Sequence, residues 1–113
     1  EPDGDTMYRV NVDGTRHLLA LSSQFGVPVF IYTSTVDVMI PAETRRIEDG
    51  DDLSCPPPRH RRFIIHPYTR TKLEAEEMVL AHNGESMSTL ALRPATLYGE
   101  GDSHFIVNSM AQA

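Results

Sequence analysis

The feature that most restricts the fold is an apolar run, residues 27–33, in which apolar and polar residues do not alternate. The run is rich in β-branched and aromatic residues, and three hydroxyl residues, Thr33, Ser34 and Thr35, stand at its end. A strand that is apolar throughout is typical of a parallel sheet covered by helices on both faces. The run therefore predicts a parallel strand that is buried on both faces.

Two stretches with helical spacing flank this strand. Apolar residues recur at helical intervals over residues 6–25, and Gly26 is expected to end that helix with a positive φ angle. Gly14 lies inside it, which predicts close packing against a neighbour. A second amphipathic pattern begins after Pro67 and continues to residue 83.

The remaining chain completes an alternation of helices and strands. Residues 88–93 predict a second strand, and Pro94 ends it. Residues 39–67 are rich in charge, proline and glycine and predict a long active-site or substrate loop. The tail from His104 indicates the start of another helix. Alternation of this kind implies an α/β fold with a parallel sheet.

Composition excludes several classes of protein. Sixteen acidic residues against ten basic ones give a net charge of −6, which argues against a nucleic-acid surface. Because Cys55 is the only cysteine, an internal disulfide is excluded and a cysteine-based zinc site is not expected. No apolar run approaches the roughly 20 residues of a membrane helix. We expect a soluble, intracellular and cytoplasmic protein.

Tyr68 and Lys72 are the first candidates for chemistry. They stand four residues apart at the start of a helix, so their side chains share one face. A nearby ammonium group stabilises a phenolate, which would suit Tyr68 to act as a general acid–base on an alcohol or carbonyl. A solvated helix face explains the same pair equally well.

Further candidates come from the hydroxyl residues after the strand and from the histidines and arginines. A hydroxyl at the carboxyl edge of a parallel sheet is placed to bind a substrate oxygen, although Ser and Thr also serve as strand-end caps. Arg59, Arg61 and Arg62 would suit a phosphate or a lipid headgroup. A solvated loop is the better interpretation of these arginines. The histidines lack paired ligand spacing, so no metal site is expected: His17, His60, His66, His82 and His104.

Five motifs in one order carry a family resemblance. The chain resembles the extended short-chain dehydrogenases, and most closely their 3β-hydroxysteroid dehydrogenase/isomerase branch. The motifs are Asn11-Val12-x-Gly14-Thr15, Tyr32-Thr33-Ser34-Thr35, Tyr68-x-x-x-Lys72, Leu92-Arg93-Pro94 and Tyr98-Gly99-Glu100-Gly101.

The resemblance implies that residues 1–113 are part of one Rossmann-type domain with a doubly wound parallel sheet. About two βα units are then expected ahead of Glu1 and a substrate lobe after Ala113. The family's Gly-x-x-Gly-x-x-Gly turn, which cradles the cofactor pyrophosphate, does not occur in this sequence. We therefore expect the chain by itself to bind cofactor poorly and to be inactive.

The resemblance also assigns roles to residues. The catalytic tyrosine and lysine fall on Tyr68 and Lys72, and the substrate-binding hydroxyl falls on Thr35, or on Ser34 if the alignment shifts by one. Asn11 matches an asparagine beside the active site, for which a structural and a catalytic role are equally good interpretations. The cofactor, NAD or NADP, is expected to contact Thr33, Tyr68, Lys72, Pro94, Ala95 and Thr96.

The predicted activity is hydride transfer between NAD(P) and a secondary alcohol or ketone, with a 3β-hydroxysteroid or another sterol as substrate. Two alternatives stay open: a nucleotide-sugar epimerase or dehydratase of the same superfamily, and a relative that only binds or regulates. The expected partners are a sterol-like small molecule and a second copy of the full-length protein, and no nucleic acid. Any association with the endoplasmic reticulum membrane would depend on parts outside this chain.

Overall fold

The structure is a computed structural model that describes residues 3–39 and 66–101. The predicted loop, apart from its first and last residues, and the predicted helix from His104 lie outside the described residues. The described elements are α1 (Gly4–Tyr8), a π-helical turn (Arg9–Asp13), α2 (Gly14–Gln24), β1 (Val29–Thr33), a 3₁₀ turn (Val36–Met39), α3 (Pro67–Ala81) and β2 (Ser88–Leu92).

The two strands are adjacent and parallel, with a register that runs from Val29 opposite Ser88 to Thr33 opposite Leu92. The carboxyl ends of β1 and β2 therefore meet at the same edge of the sheet. This arrangement confirms the α/β class and the parallel pairing that the alternation of elements predicted. It also places the residues that follow Thr33 beside those that follow Leu92.

The prediction that the first strand is buried on both faces is wrong for the described part of the chain. Side chains on β1 alternate: Phe30 and Tyr32 point towards the helices, whereas Val29 and Ile31 are 50% and 57% exposed. Leu92 on β2 is exposed on the same side. The physical reason is that α2 and α3 supply core residues to one face of the two strands, and the other face is uncovered within residues 3–39 and 66–101.

The first helical run extends from Gly4 to Gln24, which confirms the helix predicted at residues 6–25. Asp3 caps it, because its carboxylate accepts a hydrogen bond from the Thr6 amide at 2.7 Å. The π-helical turn was not predicted. Gly14 ends that turn by donating its amide to the Arg9 carbonyl, and a Cβ added there would meet the same oxygen at an ordinary 3.7 Å. The predicted close packing of Gly14 against a neighbour is therefore wrong.

The predicted helix end at Gly26 is confirmed. Gly26 has a φ of 66°, in the left-handed region, and its amide donates to the Ser23 carbonyl at 3.2 Å. The next amide, that of Val27, reaches back to Ser22 at 2.9 Å. These bonds satisfy carbonyls at the end of α2 and direct the chain into β1.

The main core lies between the helices and the inner face of the sheet, and α3 is its central element. Its buried residues come from α2, β1, α3 and the segment before β2: Leu19, Tyr32, Ala75, Val79 and Met87. A second cluster, Val38, Met39 and Leu73, packs the 3₁₀ turn onto α3. Because α3 contacts both clusters, its position relative to the carboxyl ends of the strands is well determined. None of the helices described here is long and apolar enough to cross a membrane.

Candidate active site

Tyr68 and Lys72 lie in the first two turns of α3, where the sequence predicted them. The helix begins at Pro67, and the His66 ring caps it by accepting a hydrogen bond from the Tyr68 amide at 3.3 Å. Proline suits this first position because its missing N–H would have no partner there. Tyr68 is 37% exposed, so part of its surface is open to a ligand.

The Lys72 amine lies at the carboxyl end of β1. Its Nζ donates to the Thr33 carbonyl at 2.5 Å and lies 4.5 Å from the centroid of the Tyr32 ring. Burial lowers the pKa of the Lys72 amine, because desolvation disfavours its charged form, whereas the charge of Glu76 acts in the opposite direction. Among the described residues no hydrogen bond joins Lys72 to Tyr68.

Ser34 and Thr35 are both buried, and backbone hydrogen bonds on either side hold them. The Ser34 amide donates to the Leu92 carbonyl at 2.7 Å, and the Val36 amide donates to the Pro94 carbonyl at 3.1 Å. The parallel ladder thus continues past the ends of both strands. The hydroxyls of Ser34 and Thr35 consequently lie at the edge where parallel sheets bind ligands.

The two hydroxyls differ in what they bind. Thr35 Oγ1 accepts a hydrogen bond from the Asp37 amide at 3.3 Å, so it caps the 3₁₀ turn and keeps its own proton to donate. Ser34 Oγ is buried and has no hydrogen-bond partner within the described residues. Capping, the alternative to substrate binding, therefore occurs at Thr35, whose hydroxyl donates no hydrogen bond within the described residues.

The predicted cofactor-binding segment lies beside these residues. Pro94 is half-buried and is joined to the Thr35 segment through its carbonyl, whereas Ala95 and Thr96 are exposed. The fold therefore gathers the predicted substrate-binding and cofactor-binding segments at one sheet edge, with the Lys72 amine beside them. No hydrogen bond among the described residues links Tyr68 to Thr35.

Asn11 makes a structural contact with α3, the helix that carries Tyr68 and Lys72. It lies in the π-helical turn, and its Nδ2 donates to the hydroxyl of Thr71 at 3.0 Å. That hydroxyl in turn donates to the Tyr68 carbonyl at 2.9 Å, and Thr71 is only 2% exposed. Asn11 therefore anchors the helix turn that carries Tyr68, which agrees with the structural interpretation of this residue.

Three residues of the site were missed by sequence reasoning. Tyr32 lies beneath Lys72, and burial, with added effects of Tyr68 and Glu76, raises the pKa of Tyr32 to about 12. Glu76, which looked like part of a polar helix face, is 1% exposed and pairs with Arg93. The available signal was the spacing Tyr68, Lys72, Glu76, which continues the same helix face by one more turn.

This arrangement combines a phenol, a half-buried amine and two hydroxyls near the carboxyl edge of a parallel sheet. Such a set can protonate or deprotonate an oxygen of a bound alcohol or carbonyl compound while holding a polyhydroxyl cofactor nearby. Within residues 3–39 and 66–101, no group of three or more His, Cys, Asp or Glu side chains could hold a metal ion. The site has the features of an oxidoreductase of the short-chain dehydrogenase type.

Comparison with known proteins agrees with this class. The family model for the 3-beta hydroxysteroid dehydrogenase/isomerase family matches residues 2–113. The chain is 38% identical over 106 residues to short-chain dehydrogenase/reductase family 42E member 1 of Bos taurus. The match covers 86% of this chain and 25% of that protein. No solved structure shows a significant match to the chain.

Two bacterial relatives are named as steroid enzymes. The 3-beta-hydroxysteroid dehydrogenase of Mycolicibacterium neoaurum is 38% identical over 96 residues, covering 84% of this chain and 25% of that protein. The 3 beta-hydroxysteroid dehydrogenase/Delta 5-->4-isomerase of Mycobacterium tuberculosis is 41% identical over 96 residues, with coverages of 84% and 24%. The chain therefore belongs to the 3-beta hydroxysteroid dehydrogenase/isomerase family, a family of NAD-dependent oxidoreductases. It spans about a quarter of the length of these relatives.

Proposed function

We propose that this chain supplies the proton-transfer side of the active site of an NAD(P)-dependent dehydrogenase that acts on a 3β-hydroxysteroid or a related sterol. The observation that carries the proposal is the meeting of α3 with the carboxyl ends of β1 and β2, where the Lys72 amine binds the Thr33 carbonyl at 2.5 Å. Oxidation of a secondary alcohol needs a group that takes its proton, and the hydroxyl of the partly exposed Tyr68 is the candidate.

The residues at this edge suit a nicotinamide cofactor. The Lys72 amine can donate to ribose hydroxyls as well as to Thr33, since an ammonium group has three donors. The buried Ser34 hydroxyl has no partner in the described chain, and Pro94, Ala95 and Thr96 border the same edge. When bound, the cofactor accepts or supplies the hydride. Members of this family generally use NAD(P).

The chain's own residues would then perform three tasks. Tyr68 Oη takes the hydroxyl proton of the alcohol during oxidation, or donates a proton to the ketone oxygen during reduction. Thr35 donates its free hydroxyl proton to the same substrate oxygen and so orients it. Lys72 holds positive charge near the phenol, because its amine is fixed between the Thr33 carbonyl and the Tyr32 ring.

The proposal is tested by turnover in the full-length protein. We expect reduction of NAD⁺ or NADP⁺, followed at 340 nm, with a 3β-hydroxysteroid as substrate. Tyr68→Phe should lower kcat by about 100-fold or more, the usual scale for loss of a general acid–base. Tyr8→Phe is the matched control, because it removes a hydroxyl that donates to Glu74 and has no proposed role in the chemistry. Its kcat should stay within a few-fold of wild type.

Two outcomes would contradict the proposal. The first is a Tyr68→Phe variant that turns over as fast as the Tyr8→Phe control. The second is activity on a nucleotide-sugar and none on any hydroxysteroid, which would instead favour an epimerase or dehydratase. A full-length protein that binds sterol and shows no turnover with either cofactor would favour a binding or regulatory role.

A further inference from the structure

Glu76 is a carboxylate placed where a charge is unfavourable. It lies on α3 one turn beyond Lys72 and two turns beyond Tyr68, and it is 1% exposed. A buried carboxylate persists only if another charge and several hydrogen bonds compensate for the lost water. Its position below the candidate catalytic pair suggests that this unfavourable burial serves the site.

Arg93 provides the compensation. Its Nε donates to both carboxylate oxygens of Glu76, at 3.1 and 3.2 Å, and its Nη2 donates to Oε1 at 2.5 Å. The Arg93 side chain is 16% exposed and that of Glu76 is 2% exposed. The planar guanidinium group makes such multiple bonds in a fixed orientation, which a lysine could not reproduce.

The pair joins α3 to the backbone that holds the strand-end hydroxyls. Arg93 stands between Leu92 and Pro94, whose carbonyls accept hydrogen bonds from the amides on either side of Thr35. Lys72 makes a second connection from α3, to the Thr33 carbonyl. The strand-side partners of these two contacts, Thr33 and Arg93, stand at the ends of the two paired strands. Both contacts therefore fix the distance between the helix that carries Tyr68 and the segment that carries Thr35.

The pair also sets the charge around Lys72. Desolvation lowers the pKa of the Lys72 amine and the negative charge of Glu76 raises it. Of the other ionisable groups around this amine, Tyr32 faces it from β1 with its ring, Tyr68 precedes it on α3, and Arg93 lies behind Glu76. On the packed 3₁₀ turn, the Asp37 side chain is exposed.

We propose that Glu76 and Arg93 are positioning residues of this site, which hold the Lys72 amine and the Thr35 segment in register. The inference rests on the proposed dehydrogenase function and deepens it. The charge of Glu76 favours the protonated form of Lys72, and Arg93 both compensates the buried carboxylate of Glu76 and fixes the backbone beyond β2. Neither residue is required to touch substrate or cofactor.

The two roles can be separated by replacing each partner with glutamine in the full-length protein. Glu76→Gln leaves the positive charge of Arg93 near Lys72, so the amine should lose its proton at a lower pH. Arg93→Gln leaves the negative charge of Glu76 alone, so the amine should lose its proton at a higher pH. The two shifts should therefore be opposite in sign. Both variants should lower Tm, because each leaves one buried charge without its partner.

Lys72 permits a direct measurement of these shifts. It is the only lysine in the 113 residues, so its acetylation rate can be followed against pH by mass spectrometry of the peptide that carries it. Glu77→Gln is the matched control, since Glu77 is an exposed carboxylate on the same helix. This control should leave the Lys72 titration close to wild type.

Turnover provides the second measurement. We expect Glu76→Gln and Arg93→Gln each to lower kcat at least tenfold, with the pH profile of kcat displaced in opposite directions. Should either variant fail to fold, Glu76→Asp and Arg93→Lys decide the question. They keep both charges, so the Lys72 titration should resemble wild type while kcat falls through lost geometry.

The inference is overturned if Glu76→Gln and Arg93→Gln shift the Lys72 titration in the same direction or leave it unchanged, which is the result for a merely structural pair. The same holds for the charge-preserving variants if their kcat equals that of wild type. A wild-type protein without any dehydrogenase activity would instead defeat the proposed function. The acetylation experiment would still decide whether the pair controls Lys72.

Discussion

Thr71 offers a sharp test of how α3, the helix that carries Tyr68 and Lys72, is anchored. Its hydroxyl accepts a hydrogen bond from Asn11 at 3.0 Å and donates one to the Tyr68 carbonyl at 2.9 Å, and the residue is 2% exposed. Thr71→Val replaces this hydroxyl by a methyl group of similar size, so it removes both hydrogen bonds without opening a cavity. Each bond contributes about 1 kcal/mol net, and we expect a loss of about 2 kcal/mol in the free energy of unfolding.

Thr71→Ser separates hydrogen bonding from packing. It keeps the hydroxyl and removes one buried methyl group, which should cost about 1 kcal/mol. Urea unfolding of the full-length protein, followed by circular dichroism, gives each free energy from the midpoint and slope. The serine variant should therefore be more stable than the valine variant.

Thr69→Val is the control for the same chemical change on the same helix. Thr69 is half-buried, and its hydroxyl makes no hydrogen bond in the described part of the chain. Its replacement should change the free energy of unfolding by less than about 0.5 kcal/mol. Equal losses in Thr71→Val and Thr69→Val would refute the reasoning. A serine variant less stable than the valine variant would show that packing of the methyl group outweighs the hydrogen bonds.

Three further predictions concern the turn after α2 and the site. Gly26→Ala should cost about 1 kcal/mol in unfolding free energy because Gly26 has a φ of 66°, whereas Gly99→Ala, at a residue without positive φ, should cost less in the same urea titration. Tyr32 has its pKa raised to about 12, so the folded state retains its proton where the unfolded state loses it, and wild-type stability should fall as pH rises from 10 to 12. Tyr32→Phe should remove that part of the fall, and an identical pH dependence in both proteins would contradict it. Thr35→Val should lower kcat roughly tenfold or more while Thr35→Ser retains most activity, and equal kcat values would exclude a role for the Thr35 hydroxyl.

Local signals account for the parts of the fold that were predicted correctly. Gly26 ends α2 because the turn needs a positive φ, and Pro67 begins α3 because its missing amide costs nothing there. The parallel pairing of β1 with β2 follows from the helical crossover between them. Each of these rules depends on a few adjacent residues, so one sequence is enough to apply it.

Burial could not be predicted in the same way, because it depends on which elements pack against each other. The exposure of Val29 and Ile31 follows from both helices lying on one face of the strands. Glu76 is buried because Arg93, 17 residues later in the chain, lies against it. Periodicity marks an acidic residue on a helix as polar, and the distant arginine that makes its burial tolerable leaves no local trace.

The sequence named residues of the candidate site, but it did not indicate which atoms those residues contact. The spacing of Tyr68 and Lys72 predicts that they share a face of α3, but the partner of the Lys72 amine is a backbone carbonyl 39 residues away. A backbone oxygen carries no sequence signature, since every residue has one. Asn11 similarly looked ambiguous until its bond to Thr71 was seen.

The π-helical turn makes the length of the first helical run as important as its composition. A π turn closes its hydrogen bonds over five residues where an α-helix uses four, so residues 9–13 act as a one-residue insertion. The wider turn absorbs that extra residue, so Tyr8 keeps the orientation in which its hydroxyl meets Glu74 at 3.0 Å. Deleting a residue from the regular helix α2 would instead rotate everything before it by about 100°. A single-codon deletion in α2 should therefore do more harm than one within residues 9–13.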